Sequence, residues 1–398
     1  MNISNRNFYL LALIKISHWF MLVMPIVVLF YQSNNLSMHE IFIIQSIYSI
    51  SIVAFEIPSG YFADVIGRKK TILIGAWMGV FGFSVYSFSY SFWGFVVAEI
   101  ILGIGQSMIS GADSALLFDS LTDDRNEQAY LKLEGRVISI GNFAEAFAGI
   151  IGGLLAVYSL RYPYYGQVLV SAIAVPAAFL LKEPHCSKSR IELGWSQIIN
   201  VIKYSFSTKK LRWNILYSSF VGVSTLTMAW FVQPWFIFNN VSTEYFGILW
   251  TSLNLTVGLS SMLAYKIELK IGEIRTHFLF NLFIIMGFLV LGWTHLWIGL
   301  FILFLFYLAR GVATPILKNN INKHTPSNIR ATVLSVRNFF IRILFSLIGP
   351  ILGYMTDKLN LAYSLTIGGI VLGIIISISF VLFIITDNLK FEKEVFEQ

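Results

Sequence analysis

Gly60-Tyr-Phe-Ala-Asp64-Val-Ile-Gly67-Arg68-Lys69-Lys70 stands between two apolar runs, at about residues 39–62 and 71–89. Gly60 and Gly67 allow a tight turn to pass close to neighbouring helices. Asp64 is a carboxylate suited to a helix N-terminus, where unpaired N–H groups favour negative charge. Arg68, Lys69 and Lys70 form a basic cluster of the kind that stays on the cytoplasmic side of a membrane. The flanking runs are about 20 residues long, the length that crosses a bilayer. The turn therefore joins two membrane spans.

The rest of the chain has the same character. Of its 398 residues, 56% are hydrophobic and 12% are charged. A soluble domain carries about 25% charged residues, so most of this surface must face lipid. The single cysteine, Cys186, excludes an intrachain disulfide, and the six histidines show no metal-ligand spacing. No Gly-x-x-x-x-Gly-Lys-Ser/Thr loop for a nucleotide and no nucleophile elbow is present. No cofactor is expected. The first apolar run, 8–31, is too long for a cleavable signal peptide and lacks an Ala-x-Ala site.

Apolar runs separated by polar turns predict twelve spans, at about 8–31, 39–62, 71–89, 92–117, 132–158, 164–181, 212–238, 244–265, 276–294, 296–317, 331–354 and 361–386. With a cytoplasmic N-terminus, 23 of the 28 Lys and Arg residues fall in inside segments, and the bias never inverts along the chain. Both termini are thus expected inside, at a bacterial inner membrane. The net charge of +7 then reflects residues beside the anionic inner leaflet, with no need of nucleic acid.

The longest polar interval separates spans six and seven. It divides the chain into an N-terminal bundle (1–181), a linker (182–211) and a C-terminal bundle with a short tail (212–398). In the linker Trp195, Ile198, Ile199, Ile202 and Phe206 recur at helical spacing, which predicts an amphipathic helix on the inner surface. Val137-Ile-Ser-Ile-Gly-Asn-Phe143 in span five resembles Val333-Leu-Ser-Val-Arg-Asn-Phe339 in span eleven, the fifth span of each half. Repeated halves place a binding site between them, near mid-membrane.

The turn at Gly60–Lys70 resembles the loop signature of the major facilitator superfamily, Gly-x-x-x-Asp-(Arg/Lys)-x-Gly-Arg-(Lys/Arg)-(Lys/Arg), and lies where that family has it, between spans two and three. Val65 departs from it, where a basic residue is usual. The resemblance implies an all-α membrane protein of two pseudo-symmetric six-helix bundles, and a secondary transporter. It also implies that Asp64 faces the start of span eleven, and that Arg68 pairs with Asp119 at the inner end of span four. Together these would latch the halves when the cytoplasmic side is closed. A turn with a positive-inside anchor is the plainer reading, and Lys69 and Lys70 fit it. The loop after span eight, Tyr265–Gly272, is degenerate and carries no second latch.

Each ionisable group inside a span costs about 2.5–3.5 kcal/mol and needs a reason. Span four carries Glu99, Gly103, Gln106, Ser110 and Asp113 at alternating spacings of four and three, one polar stripe expected to face the central cavity. Many family members have an arginine where Glu99 stands, so an acid offers a protonatable carboxylate in its place. Span five adds Asn142 and Glu145. Lys15, Arg310 and Arg342, the last one turn beyond Asn338, are candidate counter-charges. Alternatively these acids and bases only pair to hold helices together.

Ala148-Gly149-Ile-Ile-Gly152-Gly153 is a partial form of the family's antiporter motif, lacking its proline. Small residues at this spacing also pack any helix pair closely. The expected function is a monomeric, proton-coupled exporter of a small organic solute. A proton-coupled nutrient importer is the alternative, and a sensor or scaffold of the same fold a minor one. The partners expected are solute, protons and lipid.

Overall fold

The computed structural model describes residues 3–124, 129–184, 195–326 and 329–396. Among them the chain is helical throughout, with no strand. The helices are α1 (Ile3–Trp19), α2 (Val27–Ser33), α3 (Met38–Ile66), α4 (Arg68–Phe88), α5 (Phe92–Asp123), α6 (Tyr130–Tyr158) and α7 (Tyr162–Leu180). They continue as α8 (Trp195–Ser207), α9 (Lys209–Phe238), α10 (Thr243–Ile271), α11 (Glu273–Leu291), α12 (Leu296–Lys323), α13 (Arg330–Lys358) and α14 (Leu361–Phe396).

Eleven helical segments among the described residues are long and apolar enough to cross a membrane, α1 and α2 counting together. The twelfth expected span falls on α6, in which Phe143–Tyr158 is an apolar helical stretch. Large apolar side chains such as Leu169, Met262, Phe301 and Ile374 stand exposed. Only a hydrocarbon surrounding makes that favourable.

Span one is not the continuous helix that its apolar run predicts. α1 stops at Trp19, a 3₁₀ turn covers Met24–Ile26, and α2 follows. Pro25, buried in that turn, has no N–H to give to a helix. The Leu22 N–H donates instead to Gln167 Oε1 of α7 at 2.8 Å. A Cβ on Gly152 of α6 would stand 1.9 Å from the Leu22 carbonyl oxygen, so only glycine fits against the break. Irregular backbone at membrane depth is tolerated where protein buries and satisfies it.

The chain forms two compact units: Met1–Glu192 with Val241–Thr251, and Leu193–Asn240 with Ser252–Gln398. In the first, α5 packs against α3 and α4, while α1 packs against α6 and α7. The start of α10 groups with this unit because Gly247 meets the Gly149 carbonyl and the Gly153 backbone, each within 3 Å of an added Cβ. Thr251 Oγ1 also donates to the Ala146 carbonyl at 3.1 Å. The glycines of the partial antiporter motif thus serve close helix packing.

In the second unit α9 packs against α12, α13 and α14, and α11 against α12 and α14. The linker helix α8 lies on α9 and α13, with Phe206 against Phe340. The expected apolar stripe falls partly outside the described side chains, as does Cys186. Trp235 of α9 is fully buried and donates its indole N–H to the Leu291 carbonyl at 2.8 Å. Gly299 makes room for its ring.

The two units repeat one backbone device. Gly67 begins α4 at φ 99°, ψ 147°, and Gly272 begins α11 at φ 93°, ψ 152°. Positive φ is the reason both are glycine. The degenerate loop after span eight keeps the turn of the first loop although it has lost the charges.

Candidate functional site

The inner end of the first unit is held by charge. Arg68, at the first position of α4, is buried and pairs with the equally buried Asp119 of α5. It also donates to the Ala115 carbonyl. Just above, the Glu183 carboxylate accepts from the Arg68 N–H at 2.9 Å and from the Lys69 N–H at 2.8 Å. A carboxylate so placed satisfies two orphan donors and meets the positive end of the helix dipole. Asn7 of α1 fixes the adjacent chain, donating to the Lys182 carbonyl at 2.8 Å and accepting its N–H at 3.0 Å. Glu183 went unread in the sequence because only the fold brings it to a turn so far away.

Asp64 is exposed near the end of α3, and the Lys69 ammonium lies 5.4 Å from the centre of the Phe179 ring. Gly60 sits inside α3 with open space where a Cβ would be. The turn needs glycine at Gly67 alone.

Polar groups of the α5 stripe find partners on helices of their own unit. Asp113 accepts from Lys15 Nζ of α1 at 3.0 Å. Gln106 meets His18 of α1. Gly103 packs on the Tyr48 carbonyl and Ser51 of α3, where a Cβ would come within 3.1 Å of both. Pairing across helices removes the cost of leaving each group in an apolar medium.

Glu99 is 6% exposed. Its Oε1 accepts from the Tyr86 hydroxyl at 2.6 Å, from Gln45 Nε2 at 2.7 Å and from the Tyr31 hydroxyl at 3.2 Å. The two phenol oxygens also touch each other, and Phe30, Phe95 and Tyr164 close the shell with aromatic contacts. No cation pairs with Glu99 among the described residues. Its donors are all neutral, so the shell holds a carboxylate through hydrogen bonds. It can also hold the protonated acid, because a phenol oxygen accepts as well as donates. Lys15, a candidate counter-charge, is committed to Asp113.

The other candidates are spread over several helices. Glu145 is half-buried in α6, and the side chain of Asn142 lies outside the described set. Arg310 of α12 is half-buried, with its guanidinium carbon 5.6 Å from the centre of the Tyr307 ring. Asn338 is exposed and accepts from Arg337 Nη1 at 3.2 Å, and Arg342 is half-buried. Tyr31, Gln45, Tyr86 and His18 were unread as site residues. Gln45 could have been noticed as an amide inside an apolar run, whereas a tyrosine in a span gives no such signal.

Many apolar helices enclosing a neutral-caged acid and internal ion pairs define a polytopic membrane protein. The chain belongs to the Major Facilitator Superfamily, whose sequence model matches residues 9–350. It is a transporter and not an enzyme. It is 36% identical over 113 residues to the uncharacterized transporter BU466 of Buchnera aphidicola, a stretch that spans 28% of this chain and 25% of that protein. Multidrug resistance protein 2 of Bacillus subtilis is 24% identical, with 88% of each chain covered. The crystal structure of the nucleoside transporter NupG superposes with a TM-score of 0.79 at 13% identity, covering 96% of this chain and 99% of that one, which is a likeness of fold.

Proposed function

We propose that the protein exports a small organic solute in exchange for protons, as a monomer working by alternating access in a bacterial inner membrane with both termini cytoplasmic. The observation that carries this reading is Glu99. A proton carrier must be charged in one state and neutral in another. A buried acid with three neutral donors, and no cation paired with it among the described residues, suits both forms. The similarity to a multidrug resistance protein over 88% of each chain supports the outward direction.

The test is flux of a metabolite and drug panel in proteoliposomes under an imposed pH gradient. Acid on the outer side should drive solute from the inner side to the outer. Solute accumulating on the inner side would make the protein an importer, and no flux of any solute would make it a sensor or scaffold.

Two expected results bear on the rest of the reading. Asp64→Asn should leave insertion and folding intact but slow transport, because the carboxylate contributes about 0.3–1 kcal/mol at a helix end in the inward-closed state. A purified mutant transporting at the wild-type rate would leave the loop as a simple anchor. Orientation is checked with Cys186, which lies in the central linker among its basic residues. A membrane-impermeant thiol reagent should spare it in whole cells and label it in inverted vesicles, and labelling in intact cells would reverse the topology.

A further inference from the structure

The second unit holds its charges differently from the first. In the first, cations inside helices meet acids: Lys15 with Asp113, and Arg68 with Asp119. In the second, α12 and α13 carry Arg310, Lys318, Arg337 and Arg342 within their length. Neither helix contains a carboxylate before Asp357 at the far end of α13, and α9 contains none.

Arg337 is the deepest of these cations, at 6% exposed. Its Nε donates to Ser218 Oγ of α9 at 2.5 Å, and its Nη1 to the amide oxygen of Asn338 at 3.2 Å. Both partners are neutral. Its charged neighbour is Lys318, whose positive charge it opposes. Gly222 of α9 lets the side chain of Ile341 pack close, since an added Cβ there would meet Ile341 Cδ1 at 2.4 Å, with Arg337 Nη2 at 3.6 Å. No carboxylate pairs with Arg337 among the described residues. A buried cation without a counter-ion is costly in any apolar medium, so its retention calls for an anion that arrives from elsewhere. A guanidinium presents a planar fork of donors that fits a carboxylate or a phosphate with two parallel bonds.

We propose that Arg337, aided by Lys318 and Ser218, receives the negative group of the transported solute, which is a carboxylate- or phosphate-bearing organic anion. This rests on the exporter reading and adds the charge of the cargo to it. Glu99 of the other unit remains free to carry the proton.

The test combines two measurements on the full-length protein. Proteoliposomes receive a mixture of metabolites and drugs of every charge, and the solutes moved are identified. In detergent, thermal stabilisation is measured with benzoate, phenyl phosphate, benzylamine and benzamide, which share a ring and differ in charge. The moved solutes should be anions, and benzoate or phenyl phosphate should stabilise the protein, the stronger of the two naming the group. Arg337→Gln should weaken that binding about a hundredfold, with Arg337→Lys in between.

The proposal is overturned if the moved solutes are cationic or neutral, or if folded Arg337→Gln moves and binds anions as the wild type does. Arg337-dependent anion binding without flux of any solute would uphold the anion site and refute the exporter. Neither flux nor anion binding would refute both. The charge preference of the wild type decides the matter even if Arg337→Gln does not fold.

Discussion

Proteoliposomes containing Glu99→Gln should lose gradient-driven transport, falling to the level of protein-free vesicles, while exchange of labelled for unlabelled solute continues near the wild-type rate. Glutamine keeps the shape of the side chain and can still bond to Tyr31, Gln45 and Tyr86, so the shell around it stays filled. What it cannot do is gain or release a proton. Binding and conformational exchange need no protonation change if Glu99 acts only as carrier, whereas accumulation against a gradient does. Loss of both activities would instead mark a structural role. Full coupling in Glu99→Gln would pass the assignment to Glu145, and full coupling in Glu145→Gln as well would end the carboxylate account.

The second large effect is on stability. Asp119→Ala leaves the buried Arg68 guanidinium without its counter-ion, and breaking a buried pair in this way costs about 3–5 kcal/mol. The melting temperature of the purified protein in detergent should fall by several degrees. Replacing both partners together, as Arg68→Met with Asp119→Leu, should recover most of that loss, because two apolar groups leave no charge stranded. Transport separates the structural role from the latch. If the double variant regains stability but still transports slowly, the pair acts in the conformational cycle beyond holding α4 to α5. An Asp119→Ala variant that melts with the wild type would show that the pair contributes nothing to the fold.

The helices were readable because two independent signals agreed: apolar runs of bilayer length, and basic residues on alternate gaps. The polar stripe of α5 was readable for a related reason, since spacings of four and three mark one face of a helix. What the stripe faces was not readable. Lys15 and His18 lie on α1, and Gln45 on α3, and nothing local in α5 says which neighbour covers which turn. Arg337 lies only two turns into α13, so by position alone it belongs with the inside basic residues. Its burial is decided by Ser218 and Gly222 on another helix. Glu183 follows the same pattern, as a carboxylate whose role is set by a glycine turn more than a hundred residues earlier. The burial of Trp235 was likewise illegible, because a tryptophan at a membrane surface and a buried one look the same in sequence, and Gly299 on another helix makes the room.

The break in the first span binds distant positions into a single inherited unit. Proline at Pro25 is tolerable only while position 167 offers an acceptor for the Leu22 N–H and position 152 offers no side chain to the Leu22 carbonyl. These three sites lie on three different helical segments, so separate substitutions would meet a barrier that a joint change would not. A lineage that straightened this span would release Gly152 and Gln167 to drift. A lineage that keeps the break must carry all three through descent together.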